Sequence, residues 1–319
     1  VEHTTQCRFL EELSSRIPAK SSLIVAVSGG IDSIALLDGL VYLQSGLSIQ
    51  ITVVHVDHAL RESSHFDAEF VAQCAANYGV EFRNTRLAPY DGGDGIEAWA
   101  RRKRYSFFNE VLEQAGADYI VTAHHADDRA ETVLMRFLAN REPSSIHAVD
   151  ERRKLLRPLL QLRRSAIEEY VEHRKLAYRE DLSNGDQSIL RNRYRHTILP
   201  FLAEQLGTDP ALILSTRAES LEDDAEALEQ SARREIEHLS VHAFGSKTWF
   251  RELQGRLDLL PRAVAWRLVE RILASQYQAF LGRKVSLMVL EFIINSDSPR
   301  IQIVGGRFIE RRAGGLAFV

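Results

Sequence analysis

The feature that most limits what this chain can fold into is the alternation, over residues 1–205, of short β-rich apolar runs with longer stretches of helical periodicity. That alternation is the pattern of βαβ units around a parallel sheet. Leu23-Ile24-Val25-Ala26-Val27, Ile51 to Val56, Val80-Glu81-Phe82 and Tyr119 to Thr122 are predicted as strands, and their continuous apolarity suits strands covered on both faces. Helices are predicted near 33–44, 66–78, 96–115 and 128–138, each reached by a right-handed crossover. In such sheets ligands sit beyond the carboxyl ends of the strands, so the residues there are the ones to search for chemistry.

Past residue 205 the texture becomes helical throughout, with an acidic stretch that includes Glu219, Glu222, Asp223, Asp224, Glu226 and Glu229. Close to Val319 it changes again: Arg300 to Val304 and Arg307 to Arg311 read as strands joined through Gly305-Gly306. The predicted fold is therefore α/β, a parallel twisted sheet with helices on both faces over 1–205. A smaller, mainly helical domain ending in a short β-hairpin follows over 206–319.

A chain of 319 residues has core enough to need no covalent staple, and its two cysteines, Cys7 and Cys74, lack C-x-x-C spacing and cannot supply a structural zinc site by themselves. No run of about eighteen apolar residues occurs and the first residues lack the basic and apolar regions of a signal peptide, so a soluble protein of the reducing cytoplasm, off the membrane, is expected. Lys plus Arg is 40 against 44 Asp plus Glu, a net charge of −4, so any contact with nucleic acid must be local. Local clusters exist. Residues 152–164 carry Arg152, Arg153, Lys154, Arg157, Arg163 and Arg164 with no acid among them; others are Arg101 to Arg104 and Arg191, Arg193, Arg195. Each alone fits a solvated helix face, but three in one domain favour a polyanion.

Directly after the first strand comes Ser28-Gly29-Gly30-Ile31-Asp32-Ser33, running into the apolar start of a helix. A strand that turns through glycines into a helix brings backbone N–H groups and the positive end of the helix dipole to one point, where a phosphate can sit. Ser28 and Ser33 add hydroxyls. The loop is neither a Walker A sequence nor a G-x-G-x-x-G turn. The plainer alternative is a strand–helix turn capped by Asp32 or Ser33.

The loop resembles the pyrophosphate-binding loop of the N-type ATP pyrophosphatases, the PP-loop superfamily with its adenine-nucleotide α-hydrolase-like fold. His55 to Arg61 follows the second strand, Glu97 to Arg101 with Arg104-Tyr105 follows the third, and Thr122 to Thr132 follows the fourth. Arg157-Pro158-Leu159-Leu160, Asp181 to Asn184, Arg191 to Arg195 and Pro200 come later. Taken in order, this set resembles the tRNA(Ile)-lysidine synthetases, in their shorter form, over most of residues 20–205.

The resemblance implies a ligase that uses ATP and Mg²⁺ to adenylate cytidine 34 of the CAU anticodon of tRNA(Ile) and lets free lysine displace AMP, switching decoding to AUA. Pyrophosphate release fits the loop formed by Ser28, Gly29, Gly30, Ile31, Asp32 and Ser33, whose amides can stabilise growing charge. Asp32 and Asp128 are the candidate magnesium ligands. Asp128 and Glu131 are implied to hold metal or to orient and deprotonate the lysine ammonium, since an amine attacks only when neutral; the residues do not decide which acid does which. As a purely structural reading, Asp128-x-x-Glu131 is a capping-box-like pair. His124 and Arg101 complete the catalytic candidates. A salt bridge of Arg101 with Glu97 is the plainer alternative for the latter. An outward-turned anticodon base held by flanking phosphates assigns Arg152, Arg153, Arg191, Asn192 and Arg195 to tRNA. Residues 89–96 and 139–153 are predicted to be mobile, and nothing in the residues fixes or forbids an oligomer.

The nearest alternative is a tRNA thiolase of the same superfamily. Such enzymes work through cysteines, whereas Cys7 lies upstream of the first strand and Cys74 falls mid-helix among alanines. Small-molecule ligases of the same fold do not predict the 55–61 and 191–195 segments, and a zinc deaminase would need P-C-x-x-C. A non-catalytic RNA-binding protein with a relic loop is opposed by intact Ser28, Asp32, Ser33, Asp128 and Glu131.

Overall fold

The computed structural model describes residues 2–59, 64–90, 92, 95–139, 146–180, 190–239 and 243–319, the side chains of 2–7, 97 and 152 excepted. It divides into two compact units, Val1–Glu219 and Ser220–Val319.

In the first unit, helix α1 (Glu2–Ser15) precedes β1 (Ser22–Ala26), α2 (Ile31–Leu47), β2 (Gln50–Asp57), α3 (Ser64–Tyr78), β3 (Glu81–Arg86), α4 (Ile96–Ala115), β4 (Tyr119–Val121) and α5 (Ala126–Leu138). There follow β5 (Val149–Asp150), a 3-10 turn (Glu151–Arg153), β6 (Leu155–Leu156), α6 (Arg164–Arg174) and α7 (Leu190–Arg193). A π-helical turn (Tyr194–Ile198) joins α7 to α8 (Leu199–Leu206), and α9 (Pro210–Leu239) runs on into the second unit.

The sheet order is β3-β2-β1-β4-β6-β5, parallel except for the antiparallel edge strand β5. Alternation within β1 accounts for helices on both faces. Leu23 and Val25 pack with Phe9, Leu13, Leu36, Leu37 and Ile167 on one side; Ile24 packs with Phe108, Val111 and Leu112 of α4 on the other. The chain reverses direction across the sheet between β1 and β4, the neighbours of which lie on opposite sides, and a ligand crevice opens at such a switch point. The loops after β1, β2 and β4 converge there. β5 and β6, two residues each, are too short to leave a periodic trace in the sequence.

A buried carboxylate fastens the helices behind this crevice. Asp38 of α2 accepts hydrogen bonds from Tyr78 of α3 (2.8 Å), Tyr170 of α6 (2.5 Å) and both Nε and Nη2 of Arg174 (3.0 and 3.1 Å). Every acceptor position is used, which is what makes a charge tolerable at 2% exposure.

The second unit packs the rest of α9 with α10 (Lys247–Leu259), α11 (Arg262–Tyr277) and α12 (Arg283–Asn295) around Leu253, Leu268, Val269, Leu273 and Val289. The expected hairpin of β7 (Arg300–Gln302) and β8 (Phe308–Arg312) gains a third antiparallel strand, β9 (Gly315–Phe318). No helix among the described residues is long and apolar enough to cross a membrane.

Candidate functional site

A cavity of about 1330 Å³ lies at the carboxyl ends of the parallel strands, walled by the β1–α2 loop, the end of β2, α4 and the start of α5. Ser28, Gly30, Ile31, Asp32 and Ser33 all face it. Gly29 turns the chain at φ +95, a conformation that side chains rarely adopt. Ser33 Oγ shapes the loop from inside, accepting from the amides of Ser28 and Gly29 (both 3.2 Å) and donating to the Gly30 carbonyl (2.9 Å). Its hydroxyl lies 3.1 Å from that of Ser28. The amides of Ser28 and Gly29 are thus held by the Ser33 hydroxyl and that of Gly30 by the Ser28 hydroxyl at 3.3 Å.

Asp32 is raised above the usual carboxylate range by burial, an effect that the charges of His125 and Arg164 offset only in part. Its Oδ1 is buried with no hydrogen-bond partner, while Arg164 Nη1 stands 3.6 Å from Oδ2.

Across the cavity, α5 begins with the acids. The expected capping pair is displaced by one turn: the N-cap is His125, whose backbone N–H donates to Asp128 Oδ2 at 3.1 Å. Glu131 is instead wholly buried one turn further along. Asp127 turns away and accepts from Arg163 Nε and from the Arg164 amide, tying α5 to α6. Burial pushes the Asp127 and Asp128 carboxyls up, but hydrogen bonds and cationic neighbours outweigh it and hold both below the ordinary range.

Adjacent histidines behave oppositely. Burial lowers His124 to about 3, with Arg157, Arg191 and Arg101 nearby adding to the effect, so its ring is neutral at physiological pH and pairs with the Thr122 hydroxyl at 2.9 Å. Burial also disfavours charge on His125, but Asp128, Asp127 and Asp32 around it raise its pKa. Only His124 stood out among the catalytic expectations; His125 is the residue that joins the two halves of the site. The signal available was a histidine three residues before an acid at a helix start.

Arg191 and Arg195, expected to hold tRNA, point inward. Arg191 donates through Nε to Glu131 (2.7 Å) and through Nη2 to Asp128 (2.9 Å). Arg195 does likewise, at 2.5 and 2.7 Å. Asn192 between them is buried. The basic run 152–164 is not one surface either. β6 lies parallel to β4, so Arg153 and Lys154, which precede β6, stand at the amino end of the sheet, opposite the cavity; Arg153 contacts Asp150 there at 3.5 Å. Arg157, Arg163 and Arg164, which follow β6, are at the carboxyl end, where Arg157 is buried and donates to the His147 carbonyl, and Arg163 pairs with Asp127 and Asp209. Arg101 is exposed and stacks on Tyr105 at 5.0 Å, while Arg104 and Tyr105 line the cavity.

The end of β2 contributes two residues with no role in the expectations. His55 Nδ1 meets the Val27 carbonyl at 2.8 Å; a carbonyl only accepts, so that nitrogen carries the hydrogen and a neutral ring keeps Nε2 as an acceptor. His58 has a buried Nδ1 without a partner. Burial lowers both pKa values. Leu60, Arg61, Gly93, residues 140–145, Asp181 to Asn184 and the side chains of Glu97 and Arg152 lie outside the described residues.

No group of three or more His, Cys, Asp or Glu that could hold a metal occurs among the described residues. Asp32 fits a hard cation, having a buried oxygen that accepts no hydrogen bond, and magnesium commonly binds through one carboxylate together with substrate phosphates. Asp128 fits less well, because His125, Arg191 and Arg195 already occupy both of its oxygens.

A family model described as a PP-loop domain matches residues 1–202. A curated tRNA(Ile)-lysidine synthase of Geobacter sulfurreducens is 41% identical over 67% of this chain and 48% of its own length. One from a Nostoc species is 30% identical over 95% of this chain and 85% of its own. The chain spans about half the length of several curated relatives that it matches. Among solved structures, the U34-tRNA thiolase NcsA of Methanococcus maripaludis, described with its iron–sulfur cluster, superposes with a TM-score of 0.57 at 14% identity, covering 69% of this chain and 79% of that one, a likeness of fold.

Proposed function

The chain belongs to the PP-loop family and, within it, to the tRNA(Ile)-lysidine synthases, and from that premise we propose that it ligates lysine to cytidine 34 in the CAU anticodon of tRNA(Ile). The observation that carries the reading is one shared cavity. The glycine loop with Asp32 on one side and Asp128 on the other open onto the same space, which is large enough for a nucleotide and a second reactant.

In this reading ATP lies with its phosphates against the loop, where the hydroxyls of Ser28 and Ser33 and the first turn of α2 replace their present internal hydrogen bonds with bonds to phosphate. The cytidine C2 oxygen attacks the α-phosphorus and pyrophosphate leaves. Magnesium held by Asp32 would neutralise charge on the departing pyrophosphate. The ε-ammonium of lysine gives up a proton, the neutral amine attacks C2, and AMP leaves with the oxygen. Asp128 and Glu131 orient the ammonium and receive that proton, His125 keeps Asp32 and Asp128 charged at a fixed separation, and neutral His124 faces the base as a hydrogen-bonding partner. The mainly helical second unit, and Arg101 and Arg164 of the first, are proposed to meet RNA phosphates in the cytoplasm.

Purified protein with ATP, magnesium, lysine and a CAU-anticodon tRNA(Ile) transcript should give AMP, pyrophosphate and lysine-labelled RNA in equal amounts. Leaving out the RNA should abolish turnover. Sulfur transfer to the RNA without lysine incorporation would overturn the reading in favour of a thiolase. Against that alternative, Cys74 lies on α3 outside the cavity lining and its thiol is raised by burial.

A further inference from the structure

Two acids assigned to a lysine ammonium are already occupied by the chain's own cations. Asp128 is 8% exposed and Glu131 is 0% exposed, and four guanidinium contacts of 2.5–2.9 Å saturate them. Two guanidiniums balance the two carboxylates even before the His125 ring, 3.5 Å from Asp128, is counted, so nothing remains to attract an ammonium. A lysine cannot simply be added: the quartet would then carry an excess positive charge in a site with little water. Nor can an arginine simply leave, since a buried carboxylate stripped of its partner is costly. Exchange of one cation for another satisfies both constraints.

The two arginines differ in which can exchange. Arg195 has the more enclosed side chain, 22% exposed, and its charge also acts on Asp32. The side chain of Arg191 is 36% exposed, and it enters from α7, immediately before the π-helical turn. Such turns are frequent at functional sites, and Arg195 lies within this one.

We propose that Arg191 occupies the seat of the substrate ammonium and yields it when an RNA phosphate offers its guanidinium a bidentate alternative. This rests on the reading above and goes beyond it by making lysine binding conditional on RNA. A phosphate is the natural competitor, because it presents a guanidinium with the same paired oxygens as a carboxylate. The coupling is reciprocal: whatever factor RNA contributes to lysine affinity, lysine contributes to RNA affinity. Arg195 stays and holds the acids in place.

Calorimetric titration of L-lysine into the intact protein, with ATP omitted so that nothing turns over, tests this with and without the CAU-anticodon transcript. Wild type should bind lysine at least about tenfold more tightly with RNA, within the usual range of coupled sites, and the RNA dissociation constant should fall by the same factor with lysine. Arg191→Gln should bind lysine without RNA and gain little from it. If that variant is destabilised, its melting temperature should rise on adding lysine, whereas wild type without RNA should show no rise. Amide exchange in wild type should quicken over 190–198 when RNA is added, a readout that needs no variant. Equal lysine affinity of wild type with and without RNA, or no response of Arg191→Gln to lysine, would overturn the proposal. If lysine seats as expected in Arg191→Gln but the wild type never labels RNA, the exchange stands and the ligase reading falls; labelling with RNA-independent lysine binding is the reverse.

Discussion

His125 Nε2 stands 3.9 Å from Asp32 Oδ1 and so links the helix that leaves the glycine loop to the helix that carries the acids. The same nitrogen is 3.5 Å from Asp128. The His125 ring therefore stands between two carboxylates carried by the helices that follow the adjacent strands β1 and β4.

The charge state of that ring is measurable. Histidine resonances followed from pH 3 to 8 should show His125 still protonated above its ordinary value of 6.5 and His124 neutral down to about 3. The linkage signs are opposite. His125 contributes stability that is fully present below pH 6.5 and is lost as pH rises through its raised folded value; His124 lowers stability progressively as pH falls from 6.5 towards 3, because the folded state refuses the proton that the unfolded chain takes. Titration of both rings together near pH 6.5 would contradict this arrangement.

Ser33→Ala removes the hydroxyl that bonds two loop amides and one carbonyl. The expected cost is about 1–2 kcal/mol of stability and a larger loss of ATP binding, since the loop is no longer held open in the shape of an anion's contacts. Chemical denaturation and nucleotide titration on the same preparation separate the two effects. An unchanged nucleotide affinity would remove Ser33 from the site.

Asp38→Asn tests the fastening behind the crevice. Burial pushes the Asp38 carboxyl up, but hydrogen bonds from Arg174, Tyr170 and Tyr78 outweigh it and hold the pKa below the usual value. Its contribution should be present above about pH 4 and fade as pH falls through the depressed value. The variant should lose about 3 kcal/mol near neutral pH and should unfold in acid with a flatter pH dependence than wild type.

Arg153→Glu and Arg164→Glu should differ although both lie in one basic run. Arg153 is at the amino end of the sheet and Arg164 is 3.6 Å from Asp32 at the carboxyl end. We expect labelling of the RNA to change less than about twofold for Arg153→Glu and to fall at least about tenfold for Arg164→Glu, where the half-buried partner of Asp32 is also reversed. Rates measured at two salt concentrations distinguish a lost phosphate contact, which flattens the salt dependence, from a damaged site, which does not.

What the sequence determined by itself was everything that depends on neighbours in the chain. An apolar run closed by two glycines and hydroxyls can only be a strand turning into a helix, so β1, its loop and α2 were legible. The order of strands and crossovers followed from the same local patterning, and the crevice followed from their order. Tertiary structure decided where charges end up, because a guanidinium on a long side chain takes whichever carboxylate the fold brings within reach. Arg191 and Arg195 read as a basic surface until α7 and the turn after it are laid against α5, where both guanidiniums meet Asp128 and Glu131. A strand of two residues, β6, puts Arg153 at the amino end of the sheet and Arg164 past its carboxyl end, and no periodicity marks it. His124 and His125 are chemically identical in the sequence. Only the number of acids around each, three at close range for one and a set of arginines for the other, makes one a charge and its neighbour a neutral ring.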